Sequence, residues 1–172
     1  MAKIRFDRRY AIVATSLIAF GWCAAPAFAD GLLVAHRIPA ALANEAVAEV
    51  VAACAKQNYT ETAVIVDVDG VRLAVLRGDR AGPHTLDSAF HKAYTAVTFK
   101  SDTTPLVKRA ETTPIVANLL LKLPNLVQAG GGLVIKAGDE VIGGIGASGA
   151  PGGDLDDACA KAGLDKIMAG LK

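Results

Sequence analysis

Two short β-rich pairs, far apart in the chain and with helical periodicity before, between and after them, do most to limit the fold. Thr62 to Asp67 ("TAVIVD") and Val71 to Leu76 ("VRLAVL") meet at Asp69-Gly70, a strong hairpin signal. Leu133 to Lys136 and Val141 to Ile145 form the second pair around Ala137-Gly138-Asp139-Glu140. Hairpin strands run antiparallel. Pro39 to Asn58 carries apolar residues every three or four positions, and Thr85 can cap a helix running to about Phe99. Thr103 to Leu121 is short-helical or irregular, broken up by Pro105 and Pro114 with Pro124 just beyond, and Asp154 to Leu171 is a last helix with acids where its dipole favours them. The order helix, hairpin, helices, hairpin, helix is that of an α+β domain built on an antiparallel sheet.

The first 29 residues read as an export signal and stand apart from residues 30–172. Lys3, Arg5, Arg8 and Arg9 form a cationic start, Ala11 to Ala25 is apolar, and Ala27-Phe28-Ala29 is an A-x-A cleavage site. The apolar run is short for a membrane span, which needs about 20 residues. The surroundings of Arg8-Arg9 match a twin-arginine signal poorly, and Trp22 is wrong before a lipoprotein Cys23. A periplasmic or secreted protein, with no membrane span after cleavage, is expected.

Cleavage leaves 14 basic and 16 acidic residues, a net charge of −2. Without a Lys/Arg cluster or interleaved aromatics, the chain has no electrostatic grip on nucleic acid. Cys54 and Cys159 remain in an oxidising compartment, so a disulfide and two separate buried cysteines are both open readings. No cysteine or histidine spacing fits a structural zinc site.

In the helix after Thr85, Leu86, Ala89, Phe90, Ala93, Ala96 and Val97 form the apolar stripe. His91 falls off it, on the side of Ser88 and Thr95, and His84 sits just ahead of the cap. Each imidazole is either a ligand or a solvated side chain. Two other motifs fail in context. Gly144-x-Gly146-x-x-Gly149 resembles a dinucleotide loop, but it follows a hairpin strand and leaves no room for a ribose-binding acid. Gly146-Ala-Ser148-Gly-Ala150 lacks the second glycine of a nucleophile elbow, and His36, His84 and His91 all precede the serine. The RGD triplet at Arg77 to Asp79 is too common to imply adhesion.

Three blocks, "VDVDGVRLAVLRGDRAGPHT", "AFHKAYTAVTF" with "DTTPL", and "GGGLVIKAGDEVIGGIGASGAPGGDLDDACAKAGLDKI", together resemble the GlcG/HbpS-like haem-binding family, formerly a domain of unknown function. The resemblance implies a profilin-like fold, an antiparallel five-stranded sheet with helices on both faces. It also implies a homo-oligomer, often an octamer, and haem as the ligand.

Haem needs an apolar slot, an axial donor and partners for its propionates. The candidates are His84 and His91 as imidazole donors, Tyr94 as a phenolate donor, Lys92 as a propionate partner, and Thr103 and Thr104 as hydroxyls. His84, in "AGPHT", is the first choice for the iron; His36 ranks lower, and Met168 is poorly placed. Lys92 could instead pair with Asp87 or Asp102, and Tyr94 could be a core aromatic. The expected function is non-catalytic haem capture, storage or sensing. The alternative is a haem-degrading or small-molecule enzyme using the same pocket, and a third reading is an assembly protein with a vestigial one.

Overall fold

The computed structural model describes residues 34–171, so the segment expected to be an export signal, its expected cleavage motif and Cys23 lie outside the described residues. Helix α1 spans Ala40–Ala55, strands β1 and β2 span Thr62–Asp67 and Arg72–Arg77, and α2 spans Thr85–Phe99. Helices α3 (Thr103–Thr112) and α4 (Pro114–Lys122) follow, then β3 (Gly132–Ala137), β4 (Glu140–Ser148), α5 (Gly153–Ile167) and a 3-10 turn at Met168–Leu171. The strands pair antiparallel in the order β2-β1-β4-β3. This is an α+β domain.

The sheet has four strands among the described residues rather than five. Between α4 and β3 the chain carries Pro124, Gly130 and Gly131, and the Val127 amide donates to the Thr95 hydroxyl instead of to a strand. Pro removes a ladder donor and glycine weakens extended pairing, so this stretch stays irregular. The helical region splits where Thr113 is extended and Pro114 opens α4.

β1 is buried along its whole length because helices cover both faces of the sheet. Ala63 and Ile65 point to the side of α1 and α5, with Ile135, Ile145 and Ala147; Val64 and Val66 point to α2, with Ala89, Phe90, Ala93 and Val97. That alternation is the period-two pattern of a strand between two layers.

Glycines explain how α2 lies so close. Gly132 pairs with Gly146 across the ladder. A Cβ on Gly146 would stand 2.1 Å from the Ala89 carbonyl, and one on Gly132 2.3 Å from that of Lys92. The glycine repeat that mimics a nucleotide loop is therefore a seat for the α2 backbone. Closeness also widens the buried arc of α2, which takes in Lys92 and Thr95 as well as the expected stripe, whereas Leu86 stays 36% exposed.

The linker after α2 finishes the β3 rim. The Thr103 hydroxyl accepts the Gly132 amide at 2.9 Å, and the Asp102 carboxylate accepts the Val134 amide at 2.9 Å.

Candidate functional site

The six sequence candidates separate into two environments. Lys92, Thr103 and Thr104 belong to a polar seam. The Lys92 ammonium is 3% exposed and donates to the Asp156 carboxylate at 2.5 Å and to the Ala147 carbonyl at 3.0 Å. Gly131 makes this possible, since a Cβ there would come within 2.9 Å of the Lys92 nitrogen. The other Asp156 oxygen accepts the Ala150 amide at 3.0 Å. Lys92 is thus paired with neither Asp87 nor Asp102, the two partners expected from sequence. Thr103 is fully buried on β3, and the Thr104 hydroxyl donates to Asp157 at 2.5 Å, while the other oxygen of Asp157 accepts the Gly131 amide at 2.7 Å. The first-turn acids of α5 therefore do more than complement a dipole: they fasten the neighbouring loops.

Glu61 extends this seam and had no sequence signal, because a glutamate entering a strand is ordinarily solvated. It is 1% exposed, and neither carboxyl oxygen has a partner at hydrogen-bond geometry, although the Asp156 carboxyl and the Ala150 amide both act on the group. Burial first, and then the Asp156 carboxyl, push Glu61 up to about 8 against the opposing pull of Lys92. At neutral pH it carries its proton. The seam ends at the Cys54 and Cys159 sulfurs, which are bonded with Cα atoms 5.6 Å apart.

The remaining candidates lie outside this seam, on or beside α2. His84, at the start of the helix, is exposed, its ring folded over the space a Gly82 side chain would fill. His91 is half-buried with its ring centroid 5.6 Å from that of Phe90, and Tyr94 stacks on the other flank of Phe90 at 5.7 Å. Tyr94 also lies against Gly70, at the first hairpin turn. The Arg72 guanidinium sits 3.4 Å above the Phe90 ring and 3.8 Å from Asp87. Sequence reasoning missed Arg72 because only the folded hairpin brings it to α2. Val75, opposite Val64 in the ladder, shares this face and is 44% exposed. Together these residues make a shelf on which Val75 is exposed and Phe90 is buried beneath the Arg72 guanidinium, with His91 and Tyr94 alongside.

Two cavities lie away from the shelf. One of about 390 Å³ is lined by His36, Arg37, Pro39, Ile142 and Leu171 among others. There His36 is engaged by Glu140 at 2.6 Å, and that contact holds the Glu140 carboxyl below its usual range. The second, of about 300 Å³, lies over the end of α1. Ser148 bonds Ser88 at 2.9 Å rather than a histidine, so the elbow-like motif carries no nucleophile.

An antiparallel sheet sandwiched by helices recurs in solved structures. Streptomyces reticuli HbpS, as a double mutant, is 37% identical, with 83% of this chain and 96% of that chain covered and a TM-score of 0.73. Klebsiella pneumoniae ORFY is 26% identical over 81% and 97% of the two chains, with a TM-score of 0.76. At 23% identity, a structure described as a PduOC:heme complex shares the fold, with a TM-score of 0.68 over 78% of this chain and 96% of that one. No curated protein matches the chain. The family described as "Haem degrading protein HbpS-like" matches residues 38–165, and this chain belongs to it.

Proposed function

We propose that this is an exported haem-binding protein, periplasmic or secreted, that captures, stores or senses haem without degrading it and works as a homo-oligomer. Membership of the HbpS-like family and the haem complex of a shared-fold protein support the ligand. The observation that carries the site is the shelf itself: His91 and Tyr94 lie beside the Phe90 ring, Arg72 covers that ring, and Val75 on the same face is exposed.

The donor set fits a ferric tetrapyrrole. His84 and His91 are seven residues apart, about 10 Å along two turns of helix, so both reach the same strip. When bound, haem supplies an iron centre that takes an axial nitrogen or oxygen. An imidazole from His84 or His91 fills that role best, Tyr94 offers a phenol, and Arg72 replaces Lys92 as the propionate partner because it is exposed and charged. Lys92, Thr103 and Thr104 leave the proposed site, since their polar atoms are spent inside the fold. One chain provides one wall of a slot. A second copy laid on Val75 and Leu86 would provide the other.

Haemin titration of the purified protein tests this. A stoichiometric Soret shift, weakened by His84→Ala or His91→Ala and by Arg72→Ala, is expected. An unshifted spectrum rejects haem binding, and a shift indifferent to both histidines removes them from the iron. The family's description favours a second reading, haem degradation. Loss of the Soret band with reductant and oxygen that persists in the presence of catalase would establish it, whereas loss blocked by catalase is coupled oxidation.

A further inference from the structure

The second cavity overlies the place where the polar seam meets sulfur. Cys54, Cys159 and Glu61 each offer one ligand atom, all within 4.8 Å of one another. The sulfurs are buried at 0% and 1% exposure. Next to them, a cavity of about 300 Å³ is lined by Val51, Ala55, Asn58, Tyr59, Glu61 and Asp79 among others. Val51 and Ala55 are neighbours of Cys54 on α1, and Glu61 belongs both to the cavity wall and to the cluster with the two sulfurs, which do not themselves line the cavity. The two helices also pack against each other away from the bridge. A Cβ on Gly163 of α5 would lie 2.6 Å from the Ala46 carbonyl of α1, and Ala43, Val47, Val50, Ala160 and Ile167 pack around that contact.

Breaking a buried disulfide by exchange releases a thiolate into an apolar setting, where the charged form is disfavoured. A proton donor at the leaving sulfur removes that barrier. Glu61 is next to both sulfurs and holds its proton at neutral pH, with neither carboxyl oxygen in a hydrogen bond of good geometry. The charged groups facing it are Lys92 from α2 and Asp156 from α5, already paired with each other, while Asp79 lines the cavity.

We propose that Cys54–Cys159 is a thiol–disulfide exchange site for low-molecular-weight dithiols, with Glu61 as its proton donor and acceptor. The thiolate of a dithiol enters above α1 and attacks the Cys54 sulfur. The S–S bond breaks, and Cys159 leaves with the electron pair and takes the Glu61 proton. Glu61, now a carboxylate, accepts the proton of the second reductant thiol. That thiolate attacks its own sulfur in the mixed disulfide and departs as a cyclic disulfide. Cys54 is left as a thiolate and takes from solvent the proton given up when the first reductant thiol ionised. The dithiol loses two electrons and the cystine gains two. In reverse, the Glu61 carboxylate deprotonates a thiol of the reduced pair.

The test is the rate of reduction of the folded protein by dithiothreitol, followed by thiol counting between pH 6 and pH 9 with circular dichroism to show that it stays folded. Wild type should yield two thiols per chain, and Glu61→Gln should react about tenfold or more slowly at pH 7. That gap should close above pH about 8, where wild-type Glu61 has lost its proton and, like Gln, no longer donates one. Ala55→Phe, which puts a bulky side chain into the cavity and keeps the Glu61 carboxyl, should slow reduction while leaving the shape of the pH profile intact. Equal rates for wild type and Glu61→Gln at every pH, or reduction only after unfolding, overturns the proposal. Haem titration is a separate readout, so this inference and the haem reading fail independently.

Discussion

Lys92 and His91 are consecutive on the same helix, yet one is sealed against Asp156 and the other stands beside an open shelf. Both were candidates for the same ligand. What separates them is where α2 meets the glycines of β3 and β4, since close approach of the helix carries Lys92 past the end of the sheet and leaves His91 on the far flank. The difference teaches that ionisable residue types mark function only after burial is known. A cation with its charge already answered is architecture, and an imidazole without a buried partner is free for chemistry.

The contrast breaks most sharply at Lys92. Lys92→Met leaves Asp156 buried without its cation and should cost about 3–5 kcal/mol in urea unfolding. Pairing it with Asp156→Leu should recover most of that loss, which a purely steric effect of Met would not permit.

Glu61 sharpens the comparison from the other end of the seam. Its folded-state value, about 8, lies above the ordinary 4.5. The folded chain therefore holds a proton that the unfolded chain loses as pH rises from 4.5. Its contribution to stability is complete below about pH 4.5 and is lost progressively up to about pH 8. Glu61→Gln should flatten that decline in thermal melts across the same range and be more stable than wild type at pH 8. A parallel decline in both proteins assigns the slope elsewhere.

His91→Ala lies at the opposite extreme. It should shift the unfolding free energy by no more than about 0.5 kcal/mol, because it removes a half-buried side chain with no buried polar partner. A large loss of stability would make His91 another piece of the framework.

Much of the architecture was readable because its signals are local. Asp69-Gly70 and Gly138 announce the two turns, the spacing from Ala89 to Val97 announces α2, and Pro114 marks the break before α4. The long-range features were not readable. Nothing near Lys92 points to Asp156, 64 residues away, and nothing in "TETAVIV" says that Glu61 is dry. Gly144 and Gly146 were visible as unusual, but only the folded helix shows that their missing side chains make room for backbone. The shelf was half legible: His84 stands out in "AGPHT", His91 and Tyr94 in "HKAYT", while Arg72 is brought to it by the ladder.

The side chains of Asp102 and Thr103 have a consequence for how copies of this chain can meet. They occupy the amides of Val134 and Gly132, so a strand arriving along β3 finds those donors spent. Any lateral continuation of the ladder has to come to β2 instead. A sheet that can be extended on only one margin joins a single neighbour and then terminates, which guards against the endless stacking of a fibre.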